Sequence, residues 1–209
     1  FLDVVGPERR DMTTQHLNAA ARQEQILDAA RHLFLTKGYE ATTIEDVLTA
    51  VGIAKGTLYH HFPGKEAILD AIVLRTVDAI VQRAQAAADG PQPATTRFLA
   101  VVGAARAPQE DIELAQQIRA TGNLRLHVLA MTETWTRLVP ILTRLVEEGA
   151  AAGELSTTDP RGSVEVILSA GLTMLDGGLF PSVDDDDTSE RRQDALMHAF
   201  TLLLNPVRA

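Results

Sequence analysis

The chain is expected to be all-α, and three observations carry that expectation. Apolar residues recur at the three-to-four-residue spacing of a helix face through nearly every segment. Gly and Pro punctuate those segments at intervals that suit helices. No stretch alternates apolar and polar residues as a half-buried strand would, and there is no internal repeat or heptad run. The expected architecture is an N-terminal three-helix helix-turn-helix domain followed by a C-terminal helical bundle, about nine helices in total.

The elements follow in order. Residues 1–11 have too short an apolar run, and the wrong charge order, for a signal peptide. Met12 is a candidate start, and residues 1–18 read as a leader or arm. In 22–37, Ile26, Ala29, Ala30, Leu33 and Phe34 recur at helical spacing, and Gly38 supplies a left-handed stop. Thr42 and Thr43 precede Ile44, Val47, Leu48 and Val51, with Asp46 three residues after Thr43. That is a cap followed by a short amphipathic helix, ended by Gly52. A third short helix covers about 54–61, and Pro63-Gly64 breaks before a long one over 65–88. Asp89-Gly90-Pro91-Gln92-Pro93 reads as a linker. Further helical patterns lie near 95–106, 109–120, 122–151, 160–179 and 188–204, punctuated by Gly153, Pro160 and the Pro181–Asp187 segment. The organisation expected is an arm (1–18), a helix-turn-helix domain (19–65) and a helical body (66–209).

With 209 residues, the chain suits one large domain or a small and a medium one at roughly 150 residues per domain. A hydrophobic fraction of 45% with 22% charged residues excludes wholesale disorder. The absence of cysteine excludes a disulfide framework, a Cys-ligated metal and a cysteine nucleophile. The longest apolar stretches, such as 164–175, are broken by Glu165 and Ser169 and too short for a bilayer. The expectation is a cytoplasmic protein with no membrane partner.

A net charge of −9 argues at first against nucleic acid, but it is unevenly spread. Residues 12–65 are neutral, residues 66–209 carry −8, and all three lysines stand at 37, 55 and 65. Such a break marks two functional regions.

The informative segment is Thr42–Lys65, TTIEDVLTAVGIAKGTLYHHFPGK. Two helices of about eight residues joined by a turn with Gly52 follow the helix-turn-helix plan. Ile44, Val47, Val51, Ile53, Leu58 and Phe62 make its apolar interior. The second helix then exposes Lys55, Thr57, Tyr59, His60 and His61, with no acid among them. Such side chains donate to phosphate oxygens and base edges, and Gly56 permits close backbone approach. Lys65 falls in the first turn of the next helix, where free amides favour an anion. His60 and His61 diverge by about 100° on a helix and do not share a metal comfortably.

The stretches ILDAARHLFLTKGYEATTIEDV and GIAKGTLYHHFPGKEAIL, from Arg22 to about Ala71, resemble the DNA-binding domain of the tetracycline-repressor (TetR/AcrR) family of bacterial regulators. That resemblance implies that Thr43, Lys55, Gly56, Thr57, Tyr59, His60, His61 and Lys65 touch DNA. Tyr59, His61 and Lys65 would hold phosphates, and Lys55, Gly56 and Thr57 would lie nearest base edges. Three positions depart from the family pattern. Ala54 stands where Ser is frequent and leaves the recognition helix without a side-chain cap. Glu45 stands at a position that is often basic, and Leu48 at one that is often Ala.

The resemblance further implies that the remainder dimerises and holds a small-molecule effector. Ile167, Ala170, Gly171, Met174, Leu196, Ala199, Phe200 and Leu203 would face the second subunit. On the longest helix Leu124, Val128, Met131, Trp135, Leu138, Leu142 and Leu145 form an apolar stripe, flanked by His127 and Thr134. Most of it reads as bundle core. The sharper alternative has Phe98, Val102, His127, Met131, Trp135 and Met174 lining a ligand pocket. Asp184–Asp187 reads as a solvated acidic loop, lacking the spaced ligands of a calcium loop. No nucleophile elbow, zinc motif, phosphate loop or facing carboxylate pair points to an enzyme, and no metal or cofactor is expected. The function expected is a ligand-responsive regulator, most simply a repressor binding a palindromic operator in double-stranded DNA as a homodimer. A helical interaction protein using the same segment for protein contact is the alternative.

Overall fold

The computed structural model describes residues 7–105, 110–114, 124–174 and 187–206. Those residues form nine helices and no strand. They are α1 (Pro7–Lys37), α2 (Ile44–Val51), α3 (Lys55–His61), α4 (Lys65–Ala88), α5 (Ala94–Ala104), α6 (110–114), α7 (Leu124–Ala151), α8 (Pro160–Met174) and α9 (Asp187–Leu204). They fall into two compact units, one up to Ile72 and one from Val73 onward, with the division inside α4. The outer parts of the patterns at 109–120, 122–151 and 160–179, and the acidic run 184–186, lie outside the described residues.

In the first unit α1 starts at Pro7, well before residue 22 where the apolar spacing begins. Proline suits a first helical position, and the Ala, Gln and Arg among the residues that follow are good helix formers. The apolar face itself buries Ile26, Leu27, Ala30 and Phe34, and α1 packs against α2. Gly38, at φ 90°, ends the helix in the left-handed region that a side chain disfavours. The Tyr39 ring then meets Phe34 edge-on at 5.1 Å. Thr42 is buried, and its hydroxyl donates to the Gly38 carbonyl at 2.7 Å.

Thr43 caps α2. Its Oγ1 accepts from the Asp46 N–H at 3.2 Å, and the Asp46 carboxylate accepts from the Thr43 N–H at 2.8 Å, a reciprocal box. Lys37 donates to the same carboxylate at 2.6 Å. The Lys37 hydrogen bond first, and the Thr43 N–H second, hold the Asp46 carboxyl at a pKa of about 2, below its ordinary 3.8. At the other end Gly52, at φ 70°, stops the helix, and the N–H groups of Gly52 and Ile53 both donate to the Leu48 carbonyl.

In the second unit α5 packs on α7, α7 on α8, and α8 on α9. Phe98, Val101, Leu138, Leu142, Leu145, Val164, Ile167, Phe200 and Leu204 belong to one buried cluster, with the Phe98 and Phe200 rings 5.2 Å apart. The expected stripe on α7 is buried only in its C-terminal half: Leu138, Leu142 and Leu145 are core, whereas Leu124 and Val128 are exposed. Two of the expected partner-facing residues, Ile167 and Phe200, are core of this chain instead. The reason is that α8 and α9 pack on each other: a Cβ at Gly171 would lie 3.6 Å from Leu196.

Polar groups staple the segments between helices. Arg97, on α5, donates to the carbonyls of Ala88 and Gln92 and pairs with Glu148 of α7 at 2.7 Å, closing the Gly-Pro linker. The α5 cap, Pro93, offers no side-chain acceptor, and Glu154 takes over by accepting the Thr95 N–H at 3.1 Å. Asp159 accepts from the Gly162 N–H at the start of α8. Among the described residues, no helix is long and apolar enough to cross a membrane.

Two outcomes follow. A side chain on Gly149 would meet Leu155 and the Ala94 Cβ at 2.8 and 3.2 Å. Gly149→Val should therefore cost about 1–3 kcal/mol by overpacking, read as a lower midpoint in urea unfolding. The second concerns acid. Because the Asp46 pKa is depressed on folding, its contribution is present above about 3.8 and lost as pH falls towards about 2. Thermal melts over that window should show a wild-type loss that Asp46→Asn lacks; parallel curves for the two proteins would contradict the assignment.

Candidate nucleic-acid interface

α3 has seven residues, and of these only Leu58 is fully buried. Leu58 and, at the helix end, Phe62 anchor it, alongside buried Val47 of α2; Ile44, Val51 and Ile53 of the expected interior are half-buried. Inward-facing Leu58 leaves Lys55, Gly56, Thr57, Tyr59 and His60 exposed, and His61 half-buried. Tyr59 keeps 44% of its surface accessible. No acidic residue lies in α3. As the sequence implies, Ala54 provides no side-chain cap to α3.

Charge on this surface is nevertheless managed. Glu45 of α2 sits 3.6 Å from the Lys55 ammonium, and both side chains are largely exposed. Lys55 also lies 5.8 Å from the centroid of the Tyr59 ring, one helical turn on. The His60 and His61 rings stand 5.4 Å apart at 73°. Among the described residues, no group of three or more His, Asp or Glu side chains is placed to hold a metal.

Thr43 and Lys65 belong to the frame of the site as well as to the candidate list. Thr43 is exposed while its hydroxyl serves the α2 cap. Lys65, half-buried, donates to the carbonyls of Tyr39, Glu40 and Thr42, so its ammonium faces the turn before α2. Neither Tyr39 nor the Glu45–Lys55 pair is signalled by the sequence. The pairing joins two different helices, and a spacing rule reports only neighbours on one.

The six candidate ligand residues divide. Phe98 is buried core, and Val102 and Trp135 pack against the same cluster. His127 and Met131 are half-buried on α7, and Met174 is exposed on α8. The Trp135 indole N–H donates to Ser169 Oγ at 3.1 Å, linking α7 to α8.

Residues 26–72 match the family model of bacterial regulatory proteins of the tetR family. The chain is 42% identical over 59 residues to the HTH-type transcriptional repressor KstR2 of Rhodococcus jostii, which is 28% of this chain and 29% of that protein. It is 33% identical over 72 residues to the HTH-type transcriptional regulator UidR of Escherichia coli, 34% of this chain and 37% of that one. The chain thus matches between 29% and 37% of the length of these curated relatives. Over a longer span it resembles the crystal structure of a TetR/AcrR-family regulator from Thermobifida fusca, with 28% identity, a TM-score of 0.63, and coverage of 86% of this chain and 96% of the other. The helix-turn-helix built on Leu58, the family match that spans it and this likeness across most of the chain agree: residues 26–72 form a DNA-binding domain like that of bacterial regulatory proteins of the tetR family, and the fold of the longer span is like that of a TetR/AcrR-family regulator.

Proposed function

We propose that the chain is a ligand-responsive transcriptional regulator, a repressor that binds a palindromic operator in double-stranded DNA as a homodimer and leaves it when a small-molecule effector binds. The observation that carries this reading is the acid-free exposed surface of α3 set over a buried Leu58. Donors on a helix that itself carries no carboxylate suit phosphate oxygens and base edges, with Glu45 of α2 standing beside Lys55. Lys55, Gly56 and Thr57 are assigned to base edges. Tyr59 and His61 are assigned to phosphates, with Thr43 and His60 as further DNA contacts. The reading head is residues 19–65, and residues 66–209 form the effector-binding and dimerisation body.

A homodimer follows from the need for two heads: a dyad lets them read half-sites about one helical turn or more apart. Val166 and Met174 on α8, and Met197 and Leu202 on α9, are exposed apolar side chains on the helices assigned to that interface. The effector site is assigned to the flank of α7 that carries His127, Met131 and Trp135, where apolar walls adjoin a polar anchor. Release requires that the effector bind the DNA-incompetent conformation more tightly.

Band-shift titration against the DNA upstream of the chain's own coding region, over a salt series, tests the binding. A specific complex that weakens as salt rises is expected. Tyr59→Phe should weaken every duplex by about fivefold, one phosphate hydrogen bond, whereas Thr57→Ala should change which base pair is preferred. Absence of any complex at low salt sinks the proposal. Sedimentation tests the dimer separately. Leu202→Asp together with Val166→Asp should give a folded monomer, and a wild-type chain that is itself monomeric would refute the dyad.

A further inference from the structure

Lys65 opens α4, which is the unfavourable end of a helix for a cation because the macrodipole is positive there. Three backbone carbonyls of the turn between α1 and α2 offset that cost. The Lys65 Nζ donates to Tyr39 O at 2.8 Å, Thr42 O at 3.0 Å and Glu40 O at 3.4 Å. It also stands 4.3 Å from the centroid of the Tyr39 ring, within cation–π range. An ammonium has three donors and no acceptor, so these carbonyls use its whole hydrogen-bonding capacity. A phosphate could be held only by giving them up.

What the ammonium grips is the approach to α2. Tyr39 is buried against Phe34. Thr42 is buried too and tied back to Gly38 through both its N–H and its hydroxyl. The next residue is Thr43, the N-cap of α2 and itself a candidate DNA contact. One side chain thus joins the start of α4 to the residues that set where α2 begins.

We infer that Lys65 is a positioning residue of the reading head rather than a phosphate ligand: its ammonium locks the 39–42 turn and, through it, Thr43 and the first turn of α2. The DNA consequence rests on the regulator reading above; the locking of the turn does not. The Lys65 ammonium meets all three carbonyls from one atom, a convergence that the wider planar fork of arginine, with its donors on separate nitrogens, does not reproduce in the same place. Charge alone therefore does not replace Lys65.

The test uses the full chain as Lys65→Met and Lys65→Arg. Amide hydrogen exchange should accelerate by about tenfold or more at Thr42 and Asp46 in both variants, as expected for loss of charge-assisted bonds, with the amides of α1 that cover Ile26 and Phe34 unchanged. Circular dichroism should show the helical content retained. Fluorescence anisotropy with the labelled upstream duplex should show both variants weakened by roughly tenfold, with the slope of log affinity against log salt unchanged. Three results overturn the inference. One is Lys65→Arg binding as tightly as wild type while Lys65→Met loses about one unit of salt slope, the mark of a phosphate ligand. Another is wild-type exchange at Thr42 and Asp46. The third is loss of the whole helical signal, which would make Lys65 a general folding residue. If the wild-type chain binds no duplex, the regulator reading fails, and the exchange measurement still decides the role of Lys65.

Discussion

The inward placement of Leu58 is the constraint on which the reading head depends. α3 is seven residues long, and a helix that short has no independent stability in water. Its cap position, Ala54, adds no side-chain hydrogen bond. What holds it is tertiary: Leu58 and Phe62 are buried, and the helix exists because they are. Once Leu58 points inward, rotation of about 100° per residue sends Gly56 and His60 to the opposite side and Thr57 and Tyr59 to the two flanks. His61 turns back towards the buried side, which is why it is half-buried while His60 is exposed. The presented surface is therefore a consequence of packing, and it would rotate as a unit if the anchor moved.

Features that depend on neighbours in the chain are legible in the sequence. Gly38 and Gly52 end their helices at φ 90° and 70°, because glycine adopts that region without a side-chain penalty. Thr43 and Asp46, three apart, form the box that their spacing implies. Features that depend on the fold are not. The stripe on α7 continues to Leu124 and Val128 with the right period, yet both are exposed, since a period says that a face exists and not how much of it finds a partner. Ile167 and Phe200, which the resemblance implies would face a second subunit, are core of this chain because α8 and α9 pack on each other. The start of α1 was hidden differently: residues 7–21 offer helix formers without an apolar face, so periodicity is silent there.

The candidate site shows the same division with more at stake. The exposed set on α3 follows from composition and period within one short segment. The partners of its lysines do not. Glu45 reaches Lys55 from another helix, and the three carbonyls around Lys65 come from a turn more than twenty residues earlier. Backbone acceptors leave no trace in a sequence at all. A lysine at the start of a helix thus reads equally well as an anion site or as a clamp, and only the direction of its ammonium separates the two.

Those partners change what the neutrality of the head means. Residues 12–65 balance charge for charge, which alone could describe cations free to meet phosphate beside acids turned elsewhere. Instead Lys37 is bound to Asp46, Lys55 lies beside Glu45, and Lys65 is wrapped in carbonyls. Two of the three lysines thus stand beside carboxylates, and the third is engaged by backbone. A surface of that kind has little long-range field to draw a polyanion towards it, and the acidic remainder of the chain has the opposite field. On the proposed reading, recognition then comes from short-range fit: hydroxyls, imidazoles and a glycine held in place by buried apolar residues. That places the burden of function back on Leu58 and on the turn before Thr43, the two points where packing and backbone geometry decide where the donors stand.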